Sequence, residues 1–226
     1  MWIEVDSNIA REFPGLRAYQ VSVADVQTNI NQPSINLKIN ELLEATVENI
    51  KQQYTLESLK DNITIRAYRD FFWRVGIDPT KIRPASEALI RRILSGKPFP
   101  RINTLVDAYN MASVISGIPI AAFDQEKLVG KLIMRRAKAG ESFLGIGMKE
   151  ALRLEGVEVV ISDGEKLIAI YPYRDAAESM VADKTRNVLF LICGVPGVDE
   201  KTLEKAKEVT LEYVTKLCGG RCLIDL

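Results

Sequence analysis

Histidine is absent from this chain of 226 residues. Cysteine is scarce, and no apolar run approaches the roughly 20 residues of a membrane-spanning helix. The missing histidine excludes the most: serine–histidine and cysteine–histidine nucleophilic catalysis and every His-ligated metal site are ruled out. A hydrolase built from this chain must place its proton on a carboxylate, a lysine or the substrate itself. The three cysteines, Cys193, Cys218 and Cys222, are odd in number and irregularly spaced, which argues against a disulfide framework. Cys218 and Cys222 flank Gly-Gly-Arg, a spacing that a metal or a redox pair can use. A zinc site needs about four ligands, however, and only one further cysteine exists. A Gly-rich turn between the last helix and a short C-terminal strand is the better reading, and neither metal nor cofactor is expected.

Net charge is also lacking: 30 basic and 30 acidic residues cancel, so the whole molecule exerts no long-range pull on nucleic acid. Its distribution is uneven. Acids predominate up to about residue 65, whereas nine basic residues between Arg66 and Arg101 face only Asp70, Asp78 and Glu87. That basic region either meets phosphates or pairs with the acidic N-terminal part; charge alone favours neither. The composition, 47% hydrophobic and 27% charged, is that of a globular protein with a sizeable core. The start, Met1-Trp2-Ile3-Glu4-Val5-Asp6, carries acid where a signal peptide has a basic end and an apolar middle. We expect a cytoplasmic protein without membrane contact.

Periodicity gives the elements. Residues 16–24 alternate as a strand after Phe13-Pro14-Gly15. Helical spacing covers residues 39–54 and 64–75, and a third helix begins at Ser86 and stops at Gly96 and Pro98. A fourth spans residues 104–116 and is closed by Gly117. The period then changes: residues 132–136, 157–161, 167–171 and 188–193 read as strands, some buried on both faces. Residues 200–217 form a long helix, and residues 221–226 add an edge strand. We expect a single α+β domain over residues 1–226, helix-rich in its N-terminal half with a mixed sheet in its C-terminal half.

No phosphate-binding loop of the Walker type is present, and the glycines between Gly140 and Gly147 read as a β-turn. Two features stand out. Asp107 and Asn110, three apart, share one helix face, and a mid-helix Asn competes for backbone hydrogen bonds; the structural alternative is a cap or an inter-element bond. Tyr171-Pro172-Tyr173-Arg174-Asp175 follows a strand. There proline ends the ladder, and Arg174 with Asp175 resembles an oriented ion pair at a cleft mouth. The alternative is a surface turn with a weak local salt bridge.

From residue 100 onward the chain resembles the B3/B4 domain of the phenylalanyl-tRNA synthetase beta subunit. That family writes Ile-Asn-Asn-Val-Val-Asp-Val-Thr-Asn and then Gly-Gln-Pro-Leu-His-Ala-Phe-Asp. This chain has Ile102-Asn103-Thr104-Leu105-Val106-Asp107-Ala108-Tyr109-Asn110 and then Gly117-Ile118-Pro119-Ile120-Ala121-Ala122-Phe123-Asp124. Val159-Val160-Ile161-Ser162-Asp163 and Thr185-Arg186-Asn187-Val188-Leu189 match later family strands. Stretches such as Arg83-Pro84-Ala85-Ser86-Glu87-Ala88-Leu89 and Gly194-Val195-Pro196-Gly197 look like the stand-alone members of the family, so the strongest resemblance runs over residues 65–195.

The resemblance implies editing of misacylated tRNA. Carried over residue by residue, the family's Thr-Asn pair becomes Tyr109-Asn110, its His becomes Ala121, its Gly-rich turn aligns with residues 171–176, and its Glu falls at Leu191. The groups that read a tyrosine hydroxyl are gone, so tyrosyl-tRNA is not the expected substrate. The expected partner is instead the aminoacylated 3′ end of another tRNA, and not DNA; no oligomeric state follows. Of the family's site residues only the Asn survives, as Asn110; the roles we expect are catalytic for Asn110 and Asp175, and substrate-binding for Asp107, Tyr109, Tyr171, Tyr173 and Arg174. Arg83, Arg91, Arg92 and Arg101 would meet nucleic acid. An aminoacyl ester is already activated and a ribose hydroxyl can help deliver water, so a missing histidine is tolerable. The alternatives are a non-catalytic tRNA or amino-acid binding module, and a small-molecule enzyme on an inherited fold.

Overall fold

The computed structural model describes residues 1–223. The chain opens with β1 (Glu4–Val5), α1 (Ser7–Glu12) and β2 (Arg17–Ala24). Helices α2 (Pro33–Gln53), α3 (Ile63–Arg74), α4 (Ala85–Leu94) and α5 (Thr104–Ser116) follow. Strands β3 (Ile120–Asp124), β4 (Ile133–Arg136), β5 (Ser142–Phe143), β6 (Leu152–Arg153) and β7 (Val159–Ser162) come next. Then come β8 (Leu167–Ile170), β9 (Arg174–Asp175), β10 (Val188–Gly194), α6 (Glu200–Cys218) and β11 (Arg221–Leu223). Residues 224–226, which the edge-strand expectation included, lie outside the described residues.

Local chemistry sets the helix ends. The Asn103 side chain accepts from the Val106 N–H to start α5, and Gly117 at φ 72° stops it. The Asn62 carboxamide caps α3 by accepting from the Thr64 and Ile65 N–H groups, and Asp199 does the same for α6 at Thr202. The mixed α+β class is the expected one, but the sheets divide differently from the expectation. The N-terminal strands are built into both. β10 pairs antiparallel with β2 over its whole length, within a four-stranded sheet ordered β11-β2-β10-β3. β1 runs parallel to β4 and closes a five-stranded sheet ordered β1-β4-β7-β8-β9. β3 gave no strand signal because all five of its residues are buried, which removes the alternation a half-exposed strand shows.

One core takes side chains from both sheets and from the helices that cover them, among them Phe72, Ile90, Met111, Phe190 and Leu203. A smaller cluster around Phe143, Val160, Ile170 and Ala176 lies beneath the five-stranded sheet. The consequence for function is positional: β3 and β9 each stand at an edge of their sheet. A bridge from Phe123 to Met180 fastens β3 to the segment that follows β9.

Candidate functional site

Where those edges meet there is a small cavity of about 60 Å³. One wall is the end of β8 with the turn that follows, Ala169 to Tyr173, and then Asp175 of β9. The other wall is Pro119, Ile120 and Ala121 at the start of β3, with Leu191 and Cys193 from β10; Ala85, the first residue of α4, completes the lining. Leu191 and Cys193 are two apart and so share one strand face, whereas Phe190, just before them and on the opposite face, meets the Tyr109 ring edge-on at 6.0 Å.

Asp175 is the chemically distinctive member of the lining. It stands opposite Ala169 in the β8–β9 ladder, and its carbonyl accepts from the Ile146 N–H at 2.9 Å. Its carboxylate has neither a hydrogen bond nor an ion pair among the described residues. Burial pushes its pKa from 3.8 up to about 7, with the neighbouring Arg174 charge pulling the other way. The Arg174–Asp175 ion pair expected from the sequence does not form, because consecutive strand residues point to opposite faces. Arg174 instead donates to the Ile146 carbonyl at 3.3 Å and lies 5.7 Å from the Tyr173 ring centre. Its stem passes so close to Gly145 that a Cβ there would stand 2.4 Å from the Arg174 Cδ.

Around Asp175 the aromatic side chains divide into wall and mouth. Tyr171 is fully buried, and its hydroxyl donates to the carbonyls of Gly194 (2.7 Å) and Arg17 (3.2 Å), so it is a fixed wall rather than a free binding group. Tyr173 is half-buried and meets Phe72 edge-on at 6.5 Å. Burial, then the charges of Asp175 and Asp107, push the Tyr109 hydroxyl far up, which sets α5 within electrostatic reach of Asp175. The Cys193 thiol is likewise driven up by burial and then by Asp175. It is a neutral lining group and not a thiolate nucleophile.

Other expected site residues fall elsewhere. Asn110 is half-buried on α5, outside the cavity lining, and makes no side-chain hydrogen bond among the described residues. Asp107 is buried and committed: one oxygen accepts from the Ile102 N–H at 2.9 Å and the other from Arg101 at 2.5 Å. Arg101 is thereby drawn into a separate polar hollow with Asp107 and also donates to Asn40. A buried carboxylate in the first turn of a helix reads equally as a site group or a structural one; Asn103 supplies the cap, and Asp107 ties the preceding segment to α5.

Arg83, Arg91 and Arg92 do come together. With Lys97 and Ser95 they line an open groove of about 600 Å³ along the exposed face of α4. Beneath it Glu87 is wholly buried, and one of its oxygens accepts from Arg91 (2.7 Å) and from Arg69 on α3 (2.9 Å). Arg83, Arg92 and Lys97 have no carboxylate partner among the described residues, and no residue of the basic region pairs with the acids before residue 65. Arg91 is thus paired, whereas Arg83, Arg92 and Lys97 leave the groove cationic. The groove adjoins the cavity through α4, since Ala85 lines one and Arg92 the other, about 10 Å along the helix at 1.5 Å per residue.

Comparison with known proteins places the chain in a family. A family model described as the B3/4 domain matches residues 67–219. The phenylalanine–tRNA ligase beta subunit of Thermotoga maritima is 34% identical over 146 residues, 54% of this chain and 18% of that protein. The corresponding subunit of Clostridium acetobutylicum is 28% identical over 196 residues, covering 86% of this chain and 24% of its own length. The chain thus spans about a quarter or less of these relatives. An N-terminal fragment of the phenylalanyl-tRNA synthetase beta subunit from Pyrococcus horikoshii shares the fold, with a TM-score of 0.51 at 14% identity over 97% of this chain and 49% of that one.

Proposed function

The chain belongs to the B3/4 domain family, and from that premise we propose that it binds the aminoacylated 3′ end of a tRNA in the cytoplasm and hydrolyses a mischarged ester. The observation that carries this reading is Asp175: an unpaired carboxyl group beside an apolar cavity that adjoins a cationic groove. The carboxylate suits an aminoacyl ammonium, and the groove suits the phosphates that follow it along the strand. Tyr173, at the cavity mouth beside Arg174, offers a face for the terminal adenine. Water then adds to the ester carbonyl, the bond between that carbon and the ribose oxygen breaks, and the ribose oxygen leaves with the proton. The protein contributes orientation and exclusion by shape.

A second reading, binding without turnover, draws on the lining itself. Ala121 and Leu191 supply no polar atom to the cavity, and Cys193 is a neutral thiol. Incubation with a panel of mischarged tRNAs separates the two. Loss of at least one amino acid well above the buffer rate is expected for a hydrolase. Salt-sensitive binding without any deacylation selects the binding module, and neither binding nor deacylation removes both.

A further inference from the structure

We propose that the cavity at Asp175 selects a small apolar aminoacyl group, alanine- to valine-sized, and excludes aromatic ones. This rests on the aminoacyl-binding reading above and adds the substrate class. A dry cavity of about 150 Å³ is what a benzene ring occupies; this one measures about 60 Å³. A methyl or isopropyl group fits such a space, whereas a phenyl ring needs the walls to retreat.

The walls are not placed to retreat. Tyr171 is held at both ends, its hydroxyl on two carbonyls and its ring packed against Phe71 at 6.3 Å. Leu191 and Cys193 are core residues of β10, which is hydrogen-bonded on both sides. Enlarging a packed site of this kind forces side chains off their rotamers and shifts the backbone, so an aromatic side chain is penalised by the fold itself. Tyr173, half-buried and outside the strands, is open to replacement without disturbing one. Polarity points the same way: the Tyr171 hydroxyl is already used, and the polar side chains left in the lining are the neutral Cys193 thiol and Asp175, which the ammonium takes. Serine and threonine are therefore rejected only weakly, as in other apolar pockets.

The test titrates the full chain with non-hydrolysable 3′-aminoacylamino-3′-deoxyadenosines carrying alanine, valine or phenylalanine. The alanyl and valyl probes are expected to bind at least tenfold more tightly than the phenylalanyl probe, and Tyr173→Ala to narrow that gap several-fold. Phenylalanyl binding equal to or tighter than alanyl overturns the size assignment while leaving aminoacyl recognition standing. Binding of none of the three by the wild-type protein overturns aminoacyl recognition itself. The wild-type series decides between these without any variant.

Discussion

At the scale of single residues, Asp175 dominates the account because a half-buried carboxylate without a partner carries a measurable pH signature. Its folded pKa of about 7 lies above the ordinary 3.8. Between those values the native state holds a proton that the unfolded chain has released. Stability from this group is therefore fully present below about pH 4 and is lost as pH rises through 7. At about 1.4 kcal/mol for each tenfold change in ionisation, the charged carboxylate costs on the order of 2–4 kcal/mol above pH 8. Asp175→Asn removes that dependence, so urea unfolding should show the variant gaining on the wild type between pH 4.5 and pH 8. An unchanged difference between the two proteins would mean that Asp175 is solvated. The Tyr-Pro-Tyr-Arg-Asp motif was legible as unusual because its proline ends a strand. The direction of each side chain was not, since the ion pair read from adjacency fails once strand alternation sets Arg174 and Asp175 on opposite faces.

At the scale of elements, α4 links the two halves of the proposed site, and Glu87 fixes it in place. Its buried carboxylate joins Arg91 on the same helix to Arg69 on α3. Removing one partner of a buried pair typically costs 3–5 kcal/mol. Here both arginines are partly exposed and can turn to water, so Glu87→Ala should cost about 2–3 kcal/mol, read as a lowered urea midpoint with m unchanged. A loss below about 0.5 kcal/mol would show that α3 and α4 are held by apolar packing alone. Element existence was well marked in the sequence where caps are explicit: α5 begins after Asn103 and ends at Gly117 as read. What escaped were elements with no period to read. β3 is buried on both faces, and β1, β5, β6 and β9 are two residues each, too short for any alternation to register.

At the scale of the whole molecule, zero net charge conceals an unneutralised groove, and its effect should appear only in binding. Single-strand contacts contribute about 0.7 each to the slope of log affinity against log salt. Arg83→Ala combined with Arg92→Ala should weaken binding to all tRNAs alike and flatten that slope by about 1.4. Weakening confined to one tRNA, or an unaltered slope, would place the phosphates elsewhere. The groove was foreshadowed by the run of basic residues from Arg66 onward. Arg101, at the end of that run, leaves it because Asp107 draws it aside. The cavity was hidden more deeply. Its lining comes from the edges of two sheets and the tip of a helix, and Leu191 and Cys193 look in sequence like any other core strand. Asn110 shows the converse. Its polarity on a helix face was visible, but what that face opposes is set by tertiary packing.

The central claim is that Asp175 holds the aminoacyl end of a tRNA for hydrolysis. Deacylation of a mischarged tRNA panel by wild type and Asp175→Asn, at equal tRNA saturation near pH 7.5, tests it most directly. The account predicts that at least one tRNA is deacylated by the wild type at ten times the buffer rate or more, and that the folded variant falls to the buffer rate while still binding tRNA. Deacylation by Asp175→Asn at the wild-type rate would contradict it.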